Sequence, residues 1–135
     1  MAERCLEITI AKIWLKKNTK NIIEIGAVTP YYFKIIHDVC DHEDSHQNVN
    51  QKTSMFDIDL VGKNLLNIST IEHIGIGDYG VPINKNESAL LALKKILNES
   101  RRCLVTFPIR ANRELEEYVF RKDFLNSYKW FIKYK

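Results

Sequence analysis

Ile22-Ile23-Glu24-Ile25-Gly26 is the stretch on which the fold turns. Three isoleucines in four positions, with a glycine directly behind them, describe a short strand covered on both faces, as in a parallel sheet. Such a strand needs helices to cover it, and the flanking sequence supplies them. Upstream, Glu3 to Lys17 places Leu6, Ile10, Ile13 and Trp14 at i, i+4, i+7 and i+8, which predicts an amphipathic helix. The competing alternation Leu6, Ile8, Ile10 is broken by Ala11-Lys12-Ile13-Trp14.

Downstream, a second strand is expected within Lys34 to Asp41, and the polar stretch His42 to Gln51 reads as a loop. Phe56 to Leu60 carries a weak strand signal closed by the turn Gly62-Lys63-Asn64, and Leu65 to Thr70 a stronger one. A loop follows from Gly75 to Asn84. Asn84 or Asn86 is then expected to cap a helix with Glu87 in its first turn and Ala89, Ala92, Leu93, Ile96 and Leu97 on its apolar face. Cys103 to Phe107 predicts another buried strand, stopped by Pro108. Asn112 is expected to cap a short helix with Glu114, Glu116 and Glu117 in its early turns, where the helix dipole favours anions. Leu115, Tyr118 and Val119 should face inward, and Tyr128 to Tyr134 reads as a late edge strand. Apolar strands alternating with amphipathic helices predict an α/β fold with a mainly parallel, Rossmann-like sheet.

The 135 residues are expected to form one domain over 1–135. An apolar fraction of 45% with 27% charged residues excludes a disordered tail, a collagen-like fibre and a disulfide mini-protein. Twenty Lys and Arg against seventeen Asp and Glu leave a net charge of +3, with the cations dispersed along the chain. Lys16, Lys17 and Lys20, like Lys129, Lys133 and Lys135, read as solvated faces and not as a nucleic-acid stripe. Cys5, Cys40 and Cys103 are odd in number and form no C-x-x-C pair, so reduced, mostly buried thiols are expected. Lys12, Lys16 and Lys17 interrupt any signal-peptide core, and no apolar run reaches the length of a membrane span. The expectation is a cytoplasmic protein without a membrane segment.

In open parallel sheets, ligands bind at the carboxyl ends of the strands where the strand order reverses. Gly26 ends the first strand and lets backbone approach a ligand closely. Asp38 and Asp41 follow about fifteen residues later, the placement of an acid that accepts the two hydroxyls of a ribose. The cluster His37, Asp38, Cys40, Asp41, His42, Glu43, Asp44 and His46 has metal-capable side chains, but its spacing matches no zinc or calcium pattern, and no metal site is assigned. No Ser/His/Asp or Cys/His nucleophile set stands out.

Ile23-Glu24-Ile25-Gly26-Ala27 resembles motif I of class I S-adenosylmethionine-dependent methyltransferases. Asn67-Ile68-Ser69-Thr70-Ile71-Glu72-His73-Ile74-Gly75, continuing through Gly77-Asp78-Tyr79-Gly80, resembles the fourth-strand segment of a methyltransferase-like group with an IST(I/L)EH(I/V)G signature. His37-Asp38-Val39-Cys40-Asp41 is similar to the HDVVD-like second strand of that group, and Cys103 to Pro108 to its fifth. The likeness runs from about Asn21 to Lys122, and members often accompany genes for sugar or surface-polysaccharide modification. It implies a methyl donor, S-adenosylmethionine, lying across the strand tips. Glu24 and Gly26 would border its amino-acid end and Asp41 its ribose. Asp57 would lie near the adenine, with Ser54 or Asp59 as equal alternatives, and Ile68, Ser69 and Thr70 would follow the other flank. His73 would be the base for a hydroxyl acceptor, with Glu72 orienting it or acting alone. The implied substrate is a sugar, a polysaccharide precursor or another small metabolite.

The donor loop departs from the family pattern. Gly26 is followed by Ala27-Val28-Thr29-Pro30 where a G-x-G is usual, and Pro30 lacks the N–H that a carboxylate-binding loop uses. From Gly26 to Ile35 there is little room for a crossover helix. These departures favour a second reading, a catalytically degenerate module that binds a ligand or a partner. With little chain left for a substrate cap, self-association or a partner protein is expected to complete the site.

Overall fold

The computed structural model describes residues 2–77, 83 and 86–121. Strands β1 (Ile22–Ile25), β2 (Asp38–Cys40), β3 (Asn64–Ile68) and β4 (Arg102–Thr106) form one sheet in the order β2-β1-β3-β4, with every pair parallel. Helices α1 (Ala2–Lys17), α2 (Ala89–Glu99) and α3 (Arg113–Val119) flank it. The chain has a small α/β Rossmann-like fold. The expected strand over Tyr128 to Tyr134 lies outside the described residues, as does most of the loop that precedes α2.

Side-chain alternation along the strands sorts the core into two layers. Ile23, Ile25, Leu65, Cys103 and Val105 point to one face and pack with Ala89, Ala92, Leu93 and Ile96 of α2 and Leu115 and Val119 of α3. On the opposite face Leu66, Ile68 and Leu104 meet Ala11, Trp14 and Leu15 of α1. α1 packs chiefly on β3 and β4 on that face. Over β1 and β2 the cover is the crossover itself, which contains a single 3-10 turn (Thr29–Tyr31) and packs its Ala27, Phe33 and Ile35 with Val39. The short segment that Gly26 to Ile35 offered is therefore spanned without a helix. The outer edge of β2 is closed by the chain returning beside it, with Gln51 N–H on Val39 O (3.1 Å) and Val39 N–H on Asn50 Oδ1 (2.9 Å). Covering it in this way removes an open template for strand pairing.

Three expectations need correction. α1 spans the predicted residues but is turned differently, burying Glu7, Ile8 and Ala11 and leaving Leu6 at 41% and Ile13 at 51% exposure. The cause is polar: Ser69 and Thr106 hydroxyls both donate to Glu7 Oε1, so an acid occupies the inward face. Phe56 to Leu60 is not a strand. Ser54 caps a 3-10 turn (Met55–Asp57), and Asp59 Oδ1 accepts the Val61 N–H (2.9 Å), while Phe56, Ile58 and Leu60 still reach the core. Alternating burial there mimics a strand without any backbone pairing. Finally, Ser88 and not Asn84 or Asn86 caps α2, accepting the Leu91 N–H at 3.1 Å, which leaves Glu87 before the helix. Its buried face is the predicted one, and Asn112 caps α3 as expected, accepting the Leu115 N–H at 3.1 Å. Among the described residues, no helix is long and apolar enough to cross a membrane.

Candidate functional site

A cavity of about 820 Å³ opens at the carboxyl ends of β1, β2 and β3. This is where the strand order reverses, between β1 and β3, and where open parallel sheets bind ligands. Gly26 and Ala27 form its floor, Cys40 to Asp44 one wall, and Thr53 to Asp57 another. Ser69, Thr70, His73 and Gly75 close the third side, and Arg4 reaches in from α1. Gly26, Asp41, Asp57, Ser69, Thr70 and His73 are thus brought together; Glu24 and Glu72 do not line the cavity.

Gly26 takes φ +83°, and a Cβ built on it would lie 2.2 Å from Thr70 Oγ1. Only glycine permits both the left-handed turn and this approach of the β1 and β3 ends. Gly75 is held likewise, at φ +81° with the carbonyl of Glu87 where a Cβ would stand.

Glu24 is fully buried beneath the crossover. Oε1 accepts the N–H groups of Val28 (3.0 Å) and Thr29 (2.8 Å), and Oε2 accepts the Thr29 hydroxyl and meets His37 Nε2 at 2.7 Å. A crossover without a helix leaves backbone N–H groups facing the sheet, and buried donors need acceptors. Glu24 supplies them, so its carboxylate holds the donor-side loop in shape and turns away from any ligand.

Asp41 lines the cavity with a carboxylate already engaged. Oδ2 accepts the Ala27 N–H (2.9 Å), and Oδ1 accepts those of Glu43 (3.0 Å) and Asp44 (2.9 Å). A carboxylate has about four acceptor positions, which leaves room for one further hydroxyl and not for the ribose pair expected from the sequence. Asp57 is exposed on the cavity rim. Of its two alternatives, Ser54 also lines the cavity but serves as a cap and donates to Glu87 Oε1 (3.3 Å), whereas Asp59 does not line it. Burial, with the charge of Asp41 beside it, pushes the Cys40 thiol up to about 11, so it stays protonated at neutral pH. Cys103 is raised by burial too, while Cys5, contrary to expectation, is exposed.

The β3 side is a polar network that local sequence patterns do not reveal. Ser69, at φ +41°, donates its hydroxyl to Glu7 Oε1, and Thr70 donates to the Ile68 carbonyl (3.0 Å). Arg4 Nη1 lies 3.3 Å from Glu7 Oε2, so α1 brings both a cation and an anion to the strand ends. The signal for this was an acid, Glu7, set between Leu6 and Ile8 in a helix otherwise read by its apolar stripe. His73 faces the cavity one-third exposed, and its Nε2 is 3.7 Å from Glu72 Oε1. Glu72 is 2% exposed, and its Oε2 is buried without a hydrogen-bond partner.

Burial holds the Glu72 carboxyl above the ordinary carboxylate range, with Glu7 adding to the rise and His73 and Arg4 opposing it. The folded state therefore retains this proton to higher pH than the unfolded chain does. The contribution of Glu72 to stability therefore falls as pH rises from about 4.3, the unfolded value, through the raised folded one. Glu72→Gln, which cannot ionise, is expected to gain on the wild type in that window. Urea titrations at pH 4.5 and 7.5 measure it, and parallel pH profiles for the two proteins would contradict the assignment.

The His37-to-His46 cluster resolves into local pairs. His37 is tied to Glu24, His42 to Glu43, and His46 Nδ1 accepts the Asn48 N–H (3.1 Å). Tyr31 donates to Asp44 (2.8 Å) and meets the His46 ring edge-on at 4.6 Å. Among the described residues, no group of three or more His, Cys, Asp or Glu side chains is disposed to hold a metal ion. Comparison with protein-family models, with curated proteins and with solved structures finds no match to this chain.

Proposed function

We propose that this protein binds S-adenosylmethionine in the switch-point cavity and transfers its methyl group to a hydroxyl of a sugar, a polysaccharide precursor or another small metabolite. The observation that carries the reading is the convergence of Gly26, Asp41, Ser69, Thr70 and His73 on one cavity at the β1/β3 reversal. The residues present fit the donor. Arg4 would meet its carboxylate, replacing the N–H groups that Pro30 and the missing G-x-G take from the loop. Asp41 would accept one ribose hydroxyl with its remaining lone pair, and the rim at Asp57 would border the adenine. When bound, the donor supplies an electrophilic methyl group; the chain's share is alignment and proton handling. His73 is the group placed to take a proton from an acceptor hydroxyl. Glu72 lies behind it as a positioning residue, held out of the cavity by burial.

A second reading, a ligand-binding module without catalysis, is favoured by one observation: three backbone N–H groups already occupy Asp41. Calorimetric titration with S-adenosylmethionine and its demethylated product separates the outcomes. Micromolar binding is expected, weakened about tenfold or more in Arg4→Gln by loss of a charge-assisted bond. Absence of binding to the folded protein would reject the proposal. Binding undiminished in Arg4→Gln would remove Arg4 from it, and binding without methyl transfer to any glycan acceptor would favour the second reading.

A further inference from the structure

Glu7 is an acid on the buried face of α1, 7% exposed between Leu6 and Ile8. A carboxylate is carried into an interior only with partners that offset its desolvation. Both of its oxygens have them, on different elements. Oε1 accepts the hydroxyls of Ser69, just beyond β3, and of Thr106, the last residue of β4 (2.8 Å). Oε2 stands 3.3 Å from Nη1 of Arg4, three residues earlier on the same helix face. Glu7 itself does not line the switch-point cavity, whereas Arg4 and Ser69 do.

The Oε1 side is a closed ring. Thr106 Oγ1 donates to Glu7 and accepts the Ser69 N–H (3.2 Å), which the Thr106 carbonyl also accepts (3.0 Å). Ser69 sits at φ +41°, a left-handed conformation that a serine keeps only where its surroundings over-determine it. The strand ends thus fix the carboxylate before any ligand arrives. The Oε2 side passes that constraint on. Arg4 Nη1 is buried and makes no hydrogen bond, so attraction to the charge of Glu7 is what holds it. The Arg4 side chain is nonetheless 36% exposed, and that exposure belongs to its other atoms. Anchoring α1 to the sheet needs Oε1 alone; the second oxygen orients the guanidinium that α1 brings to the cavity.

We propose that Glu7 is a positioning residue of the switch-point cavity: the ends of β3 and β4 fix it, and it holds Arg4 ready for the carboxylate of a bound ligand. This rests on the reading of that cavity as a methyl-donor site with Arg4 at the donor's carboxylate. A long cation left free must surrender its rotamer freedom when a ligand binds, and one already held has less to lose. Glu7 also repels an incoming carboxylate, but across a cavity open to solvent that repulsion is weak.

The test is a double-mutant cycle on S-adenosylmethionine affinity, measured by calorimetry on Arg4→Gln, Glu7→Gln and the protein carrying both. Glutamine keeps an oxygen for the two hydroxyls and takes the charge from beside Arg4. Glu7→Gln is expected to weaken binding about fivefold when Arg4 is present. Beside Arg4→Gln it should cost less than about twofold, because it acts through that guanidinium. Thr106→Val removes one anchor and leaves every charge in place. It should give a loss of about threefold that likewise vanishes beside Arg4→Gln, and it decides by the same criterion if Glu7→Gln does not fold. Equal losses with and without Arg4 would make Glu7 a structural anchor alone and overturn the proposal. Unchanged or tighter binding in the single variants would overturn it too. Absence of binding to the folded wild type is a different result: it would overturn the methyl-donor reading, and the proposal with it.

Discussion

Glu24→Ala is expected to lower the unfolding free energy by about 3–5 kcal/mol, the cost of removing one partner from a buried charged network. The side chain is fully buried and takes hydrogen bonds from Val28, Thr29 and His37. Alanine leaves the Thr29 N–H, its hydroxyl and the imidazole without acceptors beneath the crossover, and opens a void there besides. Val28 suffers least, because its N–H is shared with the Gly26 carbonyl at 3.0 Å. Glu24→Gln keeps one acceptor oxygen and should recover only part of the loss. The measure is the denaturant midpoint at constant m-value. A Glu24→Ala protein within about 1 kcal/mol of wild type, an ordinary surface-scale effect, would mean that the crossover is not held by this carboxylate.

The second large effect is expected at Gly26. Alanine there meets two costs, which can be measured separately. An L-residue at φ +83° pays about 1–2 kcal/mol. Crowding adds about 1–3 kcal/mol more, because the new Cβ would stand 2.2, 2.5 and 2.7 Å from Oγ1, Cγ2 and Cβ of Thr70. Thr70→Gly removes all three atoms. Gly26→Ala made in that background should therefore cost only the conformational part, a non-additivity expected for residues in contact. Equal costs in the two backgrounds would show that the strand ends move apart without penalty. The same pair tests the proposed ligand site, since both residues line its cavity.

The strands that sequence made legible are those whose neighbours are apolar on both faces. Ile22 to Ile25, the core of Leu65 to Thr70, and Cys103 to Thr106 stand where hydropathy puts them. Legibility failed where polar contacts from distant residues decide the outcome. Glu7 turns α1 toward Ser69 and Thr106, partners found only after the sheet is assembled. β2 shrinks to three residues because Ile36, apolar but 97% exposed, belongs to the crossover. At the candidate site, the positions of Gly26, Asp41, Asp57, Ser69, Thr70 and His73 around one cavity follow from strand order, and strand order follows from the alternation of elements. The direction of each side chain does not. Glu24 is held off the cavity by burial and by backbone donors, and Glu72 is buried outside its lining. Arg4 reaches it because a helix from the start of the chain crosses β3 and β4.

The all-parallel sheet has a bearing on how the chain finds its structure in time. Among the described residues no hairpin joins any two strands: Ile23 pairs with Asp38, Ile22 with Asn64, and Asn64 with Arg102. Every ladder must close a long loop before its first hydrogen bond returns anything, and closure entropy is spent in advance. The β1–β2 ladder closes the shortest of these loops, and it is the one sealed by Glu24. The carboxylate that props the crossover in the finished molecule thus also bears on the earliest non-local pairing available to the unfolded chain.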